Sequence, residues 1–570
     1  MAHPVHHRHG VADGHEHGGR HRPDRGCLGR RHRDRSQDHA FLRTDGFGRL
    51  AAGELPENRR GGKKDANRLP AQARDGRQEP EQGDRQRHDG QDDAEVGRQA
   101  ERRGPADDDL HRHRALRGEG PGLGLRHSPR LHRDRAHGSR HDDAEHEPAG
   151  LRPSIAGILL NTFGSLGDLY PYLALGRELR TRGHRVAVAT LRHYASRVTA
   201  AGLGFHPIGP DFDPTDPVQL KRAMHKRRGP EYVLREMTLG HLRTAFDDLR
   251  PAAAAADLMV THPLALGAQL LARAAGRPWV STVLSPLSLF STTDPAIFSG
   301  VPFEHSLARL GPRGQRVVLR LADFMLSRWL APYRELEAEL GLAPGANPIL
   351  HGQHSPHLVL ALFSPRFGPR QADWPQNTQA VGFPFLADPQ ALTAELERFL
   401  AAGPPPVVFT LGSAAVGAAG AFYEHSITAV ERLGLRAVLL VGTDPANLPR
   451  RALSERLLAV PYAPHAALFA RAELVVHQGG VGTSAEALRS GRPMLVVPHC
   501  HDQPDNAHRL ARLGVARVLP AERYSARRAE RALAALLADA TAAGRARLLG
   551  AQIAAETGVA SACDELERLL

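Results

Sequence analysis

The sequence predicts an α/β protein of two Rossmann-like domains facing a cleft, preceded by a disordered segment. Three observations predict it. From Ser154 onward, short apolar runs of strand length alternate with stretches of helical periodicity. That rhythm breaks once, in a Pro- and Gly-rich stretch, and then restarts. The first 150 of the 570 residues show no such rhythm. The remaining length is ample for two domains with cores of their own.

Residues 1–150 carry little Val, Ile, Leu or Phe and are crowded with Arg, His, Asp, Gly and Gln. Such a stretch cannot offset the entropy of ordering, so disorder is expected. Three origins stay open: a flexible basic tail that touches nucleic acid or acidic membrane, a His-rich metal-binding tail, or an out-of-frame or over-extended translation of GC-rich DNA. Acidic residues nearly balance basic ones there, so no clean basic stripe exists for phosphate, and nucleic acid is not an expected partner. The chain opens polar, without the apolar core of a secretory signal, and no run of about 18 apolar residues suggests a spanning helix. Cys27, Cys500 and Cys563 are too scattered for a disulfide framework or a zinc site. A reducing, cytoplasmic setting is expected. The formal charge of +12, with its Arg excess in residues 151–570, leaves peripheral contact with an anionic membrane open.

The first domain is expected over residues 151–375. Ile155–Phe163 reads as a buried parallel strand, followed by the turn Gly164-Ser165-Leu166-Gly167-Asp168 and a helix from Leu169 to Arg182. Val186–Thr190, Asp257–Thr261, Trp279–Val283 and Leu358–Phe363 are further strands, with a helix at Ala265–Ala275. Pro295–Pro344 is helical and irregular, suited to an acceptor-facing wall. Arg366–Gln390 reads as the linker. The second domain, residues 376–570, restarts with the strand Val407–Leu411 and Gly412-Ser413. It continues with a helix near Ala421–Gly434, then strands at Arg436–Val441, Leu474–Val476 and Met494–Val497.

The densest chemistry lies in HQGGVGTSAEAL, starting at His477. Gly479, Gly480 and Gly482 let backbone N–H groups approach a ligand, and Thr483 and Ser484 stand where a helix begins. A helix N-terminus is a ready anion site, phosphate above all. Glu486 is expected in the first helical turn, facing back towards a ribose diol. Asp502 and Gln503 follow the next strand and can bond several hydroxyls of one sugar. Upstream, Tyr462 with His465 offers a ring for a base to stack on, or a loop aromatic that packs locally. In the first domain, Asp168 is either a helix N-cap or a general base. His262 reads as a packed structural residue.

Tyr462 to Asn506, with Asn161 to Leu175, resembles the nucleotide-sugar signature of family 1 glycosyltransferases, which have the GT-B fold; rhamnosyl-, sterol glucosyl- and glycopeptide or macrolide glycosyltransferases are the members most similar in pattern. The resemblance covers residues 154–570. It implies that Gly480, Gly482 and Thr483 hold the donor diphosphate, with a further contact from Ser413. Glu486 would bind the ribose, and Asp502 and Gln503 the transferred sugar. Asp168, beside Gly164 and Ser165 on the acceptor side, would be the base as in glycopeptide-type relatives, whereas other relatives use a nearby His instead. It also implies a single inverting displacement that needs no metal or other cofactor. The sequence departs from the pattern at one place. Gln478 stands where the family has His, and His477 lies one residue earlier. Either His477 reaches the diphosphate from a shifted position, or Gln478 and the backbone hold it.

The expected function is transfer of a hexose or deoxyhexose from a UDP- or dTDP-sugar to a hydroxyl of a hydrophobic small molecule. A catalytically impaired nucleotide-sugar-binding protein and a nucleotide-sugar epimerase are the alternatives.

Overall fold

The computed structural model describes residues 155–301, 303–387 and 390–570. The readings made for residues 1–150 lie outside the described residues. The first sheet holds β1 (Gly157–Asn161), β2 (Arg185–Thr190), β3 (Gly204–Pro207), β4 (Leu258–Thr261), β5 (Trp279–Val283), β6 (Leu358–Ala361) and β7 (Thr378–Ala380). Its order is β3-β2-β1-β4-β5-β6-β7, and every pair is parallel. The second sheet holds β8 (Val407–Thr410), β9 (Ala437–Leu440), β10 (Leu457–Val460), β11 (Leu474–His477), β12 (Met494–Val496) and β13 (Ala516–Val518). It is also all parallel, in the order β10-β9-β8-β11-β12-β13. The two sheets therefore repeat one winding, with the strand order reversing beside β1 in the first and beside β8 in the second.

Central strands are apolar throughout because helices cover both faces of each sheet. Ile158 and Leu160 of β1 join Val188, Val260 and Leu360 in one core layer, while Leu159 joins Ala189 and Met259 in the opposite one. In the second sheet Val408, Val438 and Val475 face one layer, and Phe409, Leu439 and Val476 the other.

Two features depart from the linear reading. Arg366–Gln390 is not all linker, since it contains β7, which bonds to β6. The boundary drawn at 375 falls just before that strand. The C-terminal helix Gly558–Glu567 returns to the first domain, where Ala562, Cys563 and Leu566 share a core with Tyr172, Leu175 and Leu179. Arg182 reaches Asp564 at 2.6 Å and Glu567 at 2.8 Å, and His184 meets Glu567 at 3.0 Å. Cys500 and Cys563 are free and buried. Among the described residues no helix is long and apolar enough to cross a membrane.

Candidate active site

The carboxyl ends of β1 and β4 meet at the first sheet's reversal point, where α/β proteins place ligands. Helix α1 (Leu166–Thr181) starts there, and its N-cap is Ser165. Asp168 is thus the third helical residue of a capping box, not the cap itself. Its Oδ2 accepts from the Ser165 N–H at 2.7 Å and from the Ser165 hydroxyl at 3.0 Å. Gly164 makes this possible. Its φ is +128°, and a Cβ there would stand 2.4 Å from Oδ2.

The second oxygen, Oδ1, lies 3.3 Å from Nε2 of His262, the residue that follows β4. The ring's Nδ1 accepts from the Leu264 N–H at 3.1 Å, which puts the proton of the neutral ring on Nε2 and aims it at Asp168. Burial pushes the Asp168 carboxyl up, but His262 and the Ser165 donors outweigh it and hold the pKa below the ordinary carboxylate value. His262 is buried as expected, yet its partner is the candidate base. Its position straight after the fourth strand was the available signal.

The second sheet's reversal point lies between β8 and β11. Helix α2 (Val481–Arg489) starts there, and its cap residue Gly480 leaves the first N–H groups without a side-chain partner. A Cβ added to Gly482 would meet nothing within 4 Å, so there is room in front of that helix end. Gln478 stands at the turn. Its Nε2 reaches the Thr483 hydroxyl at 3.4 Å, and its Oε1 is buried without a partner. A Cβ on Gly412, whose φ is +64°, would come within 2.2 Å of that amide, which sets Gln478 against the turn carrying Ser413.

His477 belongs to β11. It is fully buried, its Nδ1 accepts from the Gly479 N–H at 3.1 Å, and burial with nearby His465 pushes its pKa down to about 3. It is a neutral strand residue, and Gln478 occupies the glycine turn. His465 is stacked on Phe469 with ring centroids 4.6 Å apart, and burial lowers its pKa to about 4. Tyr462, 6.4 Å from the His465 ring, is exposed.

Glu486 corrects an expectation. The helix begins at Val481, so Glu486 lies in the second turn, where Arg489 takes its carboxylate at 2.6 Å. Burial raises the pKa of Glu486, and Arg489 opposes the rise.

Helix α3 (Gln503–Arg512) brings the two halves together, with Asp502 at its N-cap. Gln503 is pinned by its Oε1, which accepts from the His499 N–H at 2.9 Å. Asn506 Nδ2 donates to Asp502 Oδ2 at 2.7 Å and to the Gly479 carbonyl at 2.9 Å, while its Oδ1 accepts from Ser285 of the first domain at 2.9 Å. Its neighbour Asp505 accepts from the Ile297 N–H at 3.1 Å and from Arg509 at 2.7 Å. Arg509 also bonds Asp294, which Arg512 meets at 2.6 Å. Arg509 is 3% exposed and Asp505 0%. This buried clamp fixes the start of α3 against the first domain. Burial pushes the Asp502 carboxyl up to about 7, the Asn506 hydrogen bond opposes the rise, and the charge of Asp168 adds to it. No periodicity announces the clamp, because Ser285, Asp294 and Arg509 are remote in sequence.

Residues 441–569 match the family model described as the C-terminal domain of erythromycin biosynthesis protein CIII-like proteins, and residues 158–270 that of the glycosyltransferase family 28 N-terminal domain. Over 426 residues, 72% of this chain and 96% of the relative, the chain is 34% identical to O-mycaminosyltylonolide 6-deoxyallosyltransferase of Streptomyces fradiae. The chain belongs to the family 1 glycosyltransferases. This glycosyltransferase is also 28% identical to a sterol 3-beta-glucosyltransferase of Arabidopsis thaliana, over 71% of its own length and 64% of that protein. Among solved structures, the glycotransferase of kitacinnamycin superposes with a TM-score of 0.55 at 24% identity, covering 73% of this chain and all of that one. The fold is GT-B, and the enzyme is a nucleotide-sugar-dependent glycosyltransferase.

Proposed function

We propose that this glycosyltransferase moves a hexose or deoxyhexose from a UDP- or dTDP-sugar to a hydroxyl of a hydrophobic acceptor (a lipid, sterol or polyketide) with inversion. One observation carries the reading. An ionised carboxylate at the first reversal point has one oxygen held by the cap and the other towards His262, and its charge is felt by the sugar-side Asp502, which caps the helix next to the open, glycine-lined helix end. The names of the relatives agree with a hydrophobic acceptor, one being a sterol glucosyltransferase and another acting on a tylonolide.

The step balances on this chain's residues. The acceptor oxygen attacks the anomeric carbon as its proton passes to Asp168 Oδ1. The bond from that carbon to the diphosphate breaks, and the electron pair leaves on the diphosphate oxygen. The N–H groups at the start of α2 and the amide of Gln478 meet the charge that develops there. Asp502, Gln503 and the backbone around them hold the sugar hydroxyls. Glu486 binds the ribose once it exchanges Arg489 for the diol. Ser413 adds a phosphate contact, and Tyr462 with His465 flanks the base.

The test is nucleoside diphosphate release by the full chain, with UDP-glucose and then dTDP-rhamnose, against a pool of hydrophobic alcohols. Acceptor-dependent release is expected, and Asp168→Asn should lower it by about 10²–10⁴-fold with little change in donor KM. Release unchanged by the substitution would remove Asp168 as base. Release that ignores the acceptor would remove the transfer reading.

A further inference from the structure

The helix Pro312–Ser327 of the first domain is attached to the body by little. Gln315 is its buried residue and donates to the Leu310 carbonyl at 3.4 Å; further along, Asp323 accepts from Asn347 at 2.9 Å. Val317, Leu321, Phe324 and Met325 recur at helical spacing on one face, and each is 58% exposed or more. Water is a poor partner for such a stripe, and contiguous exposed apolar patches mark contact surfaces.

Charge names the partner. Residues 309–328 contain Arg309, Arg313, Arg316, Arg320 and Arg328 against the single acid Asp323, a net charge of +4. All five arginines are exposed, and none has a carboxylate partner among the described residues. On the helical wheel Arg313, Arg316 and Arg320 run along one border of the apolar stripe, and the Arg328 guanidinium lies 5.2 Å over the Phe324 ring at its end. An apolar strip bordered by arginine suits an anionic bilayer surface, where acyl chains take the stripe and headgroup phosphates take the guanidinium groups. A second copy suits it less, because a two-fold pairing of this face would bring its own arginine borders together. The helix is too short and too charged to span.

We propose that Pro312–Ser327 docks this glycosyltransferase on an anionic lipid surface, seating Val317, Leu321, Phe324 and Met325 at the headgroup–acyl boundary. The test is co-sedimentation of the full chain with vesicles of phosphatidylcholine alone and of phosphatidylcholine mixed with phosphatidylglycerol. The expected result is binding to the mixed vesicles only, weakened by salt. Leu321→Glu with Phe324→Glu should reduce it by roughly tenfold or more, with an unchanged thermal melt, since both side chains are exposed. Replacing Arg313, Arg316 and Arg320 by Gln should flatten the salt dependence. Binding that both variants retain would overturn the proposal and transfer it to another surface. A concentration-dependent dimer of the parent chain that the Glu variant abolishes would overturn it in favour of self-association. The readout needs no turnover, so it stands or falls apart from the assigned chemistry.

Discussion

The two reversal points share one winding and differ in chemistry. At the first, between β1 and β4, a carboxylate and an imidazole are hydrogen-bonded and the helix end is closed by a capping box. At the second, between β8 and β11, stand glycines, an amide with an unpartnered oxygen and an uncapped helix end. The first has its proton chemistry assembled in advance, whereas the second is left for a ligand to complete. A winding that repeats thus supplies two equivalent places, and the side chains after the strands decide what each does.

Four substitutions break or sharpen that contrast. Arg509→Met should act most strongly, because it leaves Asp505 buried without its cation and Asp294 with Arg512 alone. A loss of about 3–5 kcal/mol is expected in chemical denaturation. The same protein should lose transfer between the two halves before it loses donor binding. Asp502→Asn tests the carboxyl pushed up to about 7. A raised acid pKa means that ionisation costs stability, starting as pH passes the unfolded value near 3.9 and complete above the folded value. The Asn variant should therefore gain Tm over the parent at pH 8 and gain little at pH 4. An equal gain at both would show that the carboxyl is not strained.

His262→Phe isolates the hydrogen bond at the first point. Asp168 is held low partly by His262, so its loss raises the base pKa and moves the acid limb of kcat/KM to higher pH. The accompanying stability loss should be about 1.5 kcal/mol. An unmoved limb with lower kcat would reduce His262 to a packing role. Gln478→Ala should have the smallest effect, about 1 kcal/mol or roughly fivefold in donor KM. That outcome is expected because backbone N–H groups hold most of the diphosphate on this reading.

The sequence reading found nine strands and missed β3, β7, β10 and β13, which are the four sheet edges. The reason is physical. Central strands are buried on both faces and read as continuous apolar runs, while the edges are half-exposed, as in Gly-Phe-His-Pro of β3 and Ala-Arg-Val of β13. The glycine turns and the polar pair after β12 were legible because their types and spacing are local. His262 was legible as a residue just after a strand but not as the partner of Asp168, which lies 94 residues away. Glu486 was set one turn too early because Thr483 and Ser484 look like a helix start, whereas the helix begins at Val481 with Gly480 as its cap. The clamp around Arg509 was invisible for the same reason as His262, being a meeting of helix α3 with first-domain loops more than 200 residues away.

The return of Gly558–Glu567 to the first domain bears on how the protein is made. The first sheet has left the ribosome long before Ala562, Cys563 and Leu566 are synthesised, yet these residues wall off Leu175 and Leu179. That side of the early domain stays open to chaperones, and to the wrong partners, while the whole second domain is being translated. Trimming this helix or fusing a tag against it would act first on the first domain, although in sequence the helix adjoins the second.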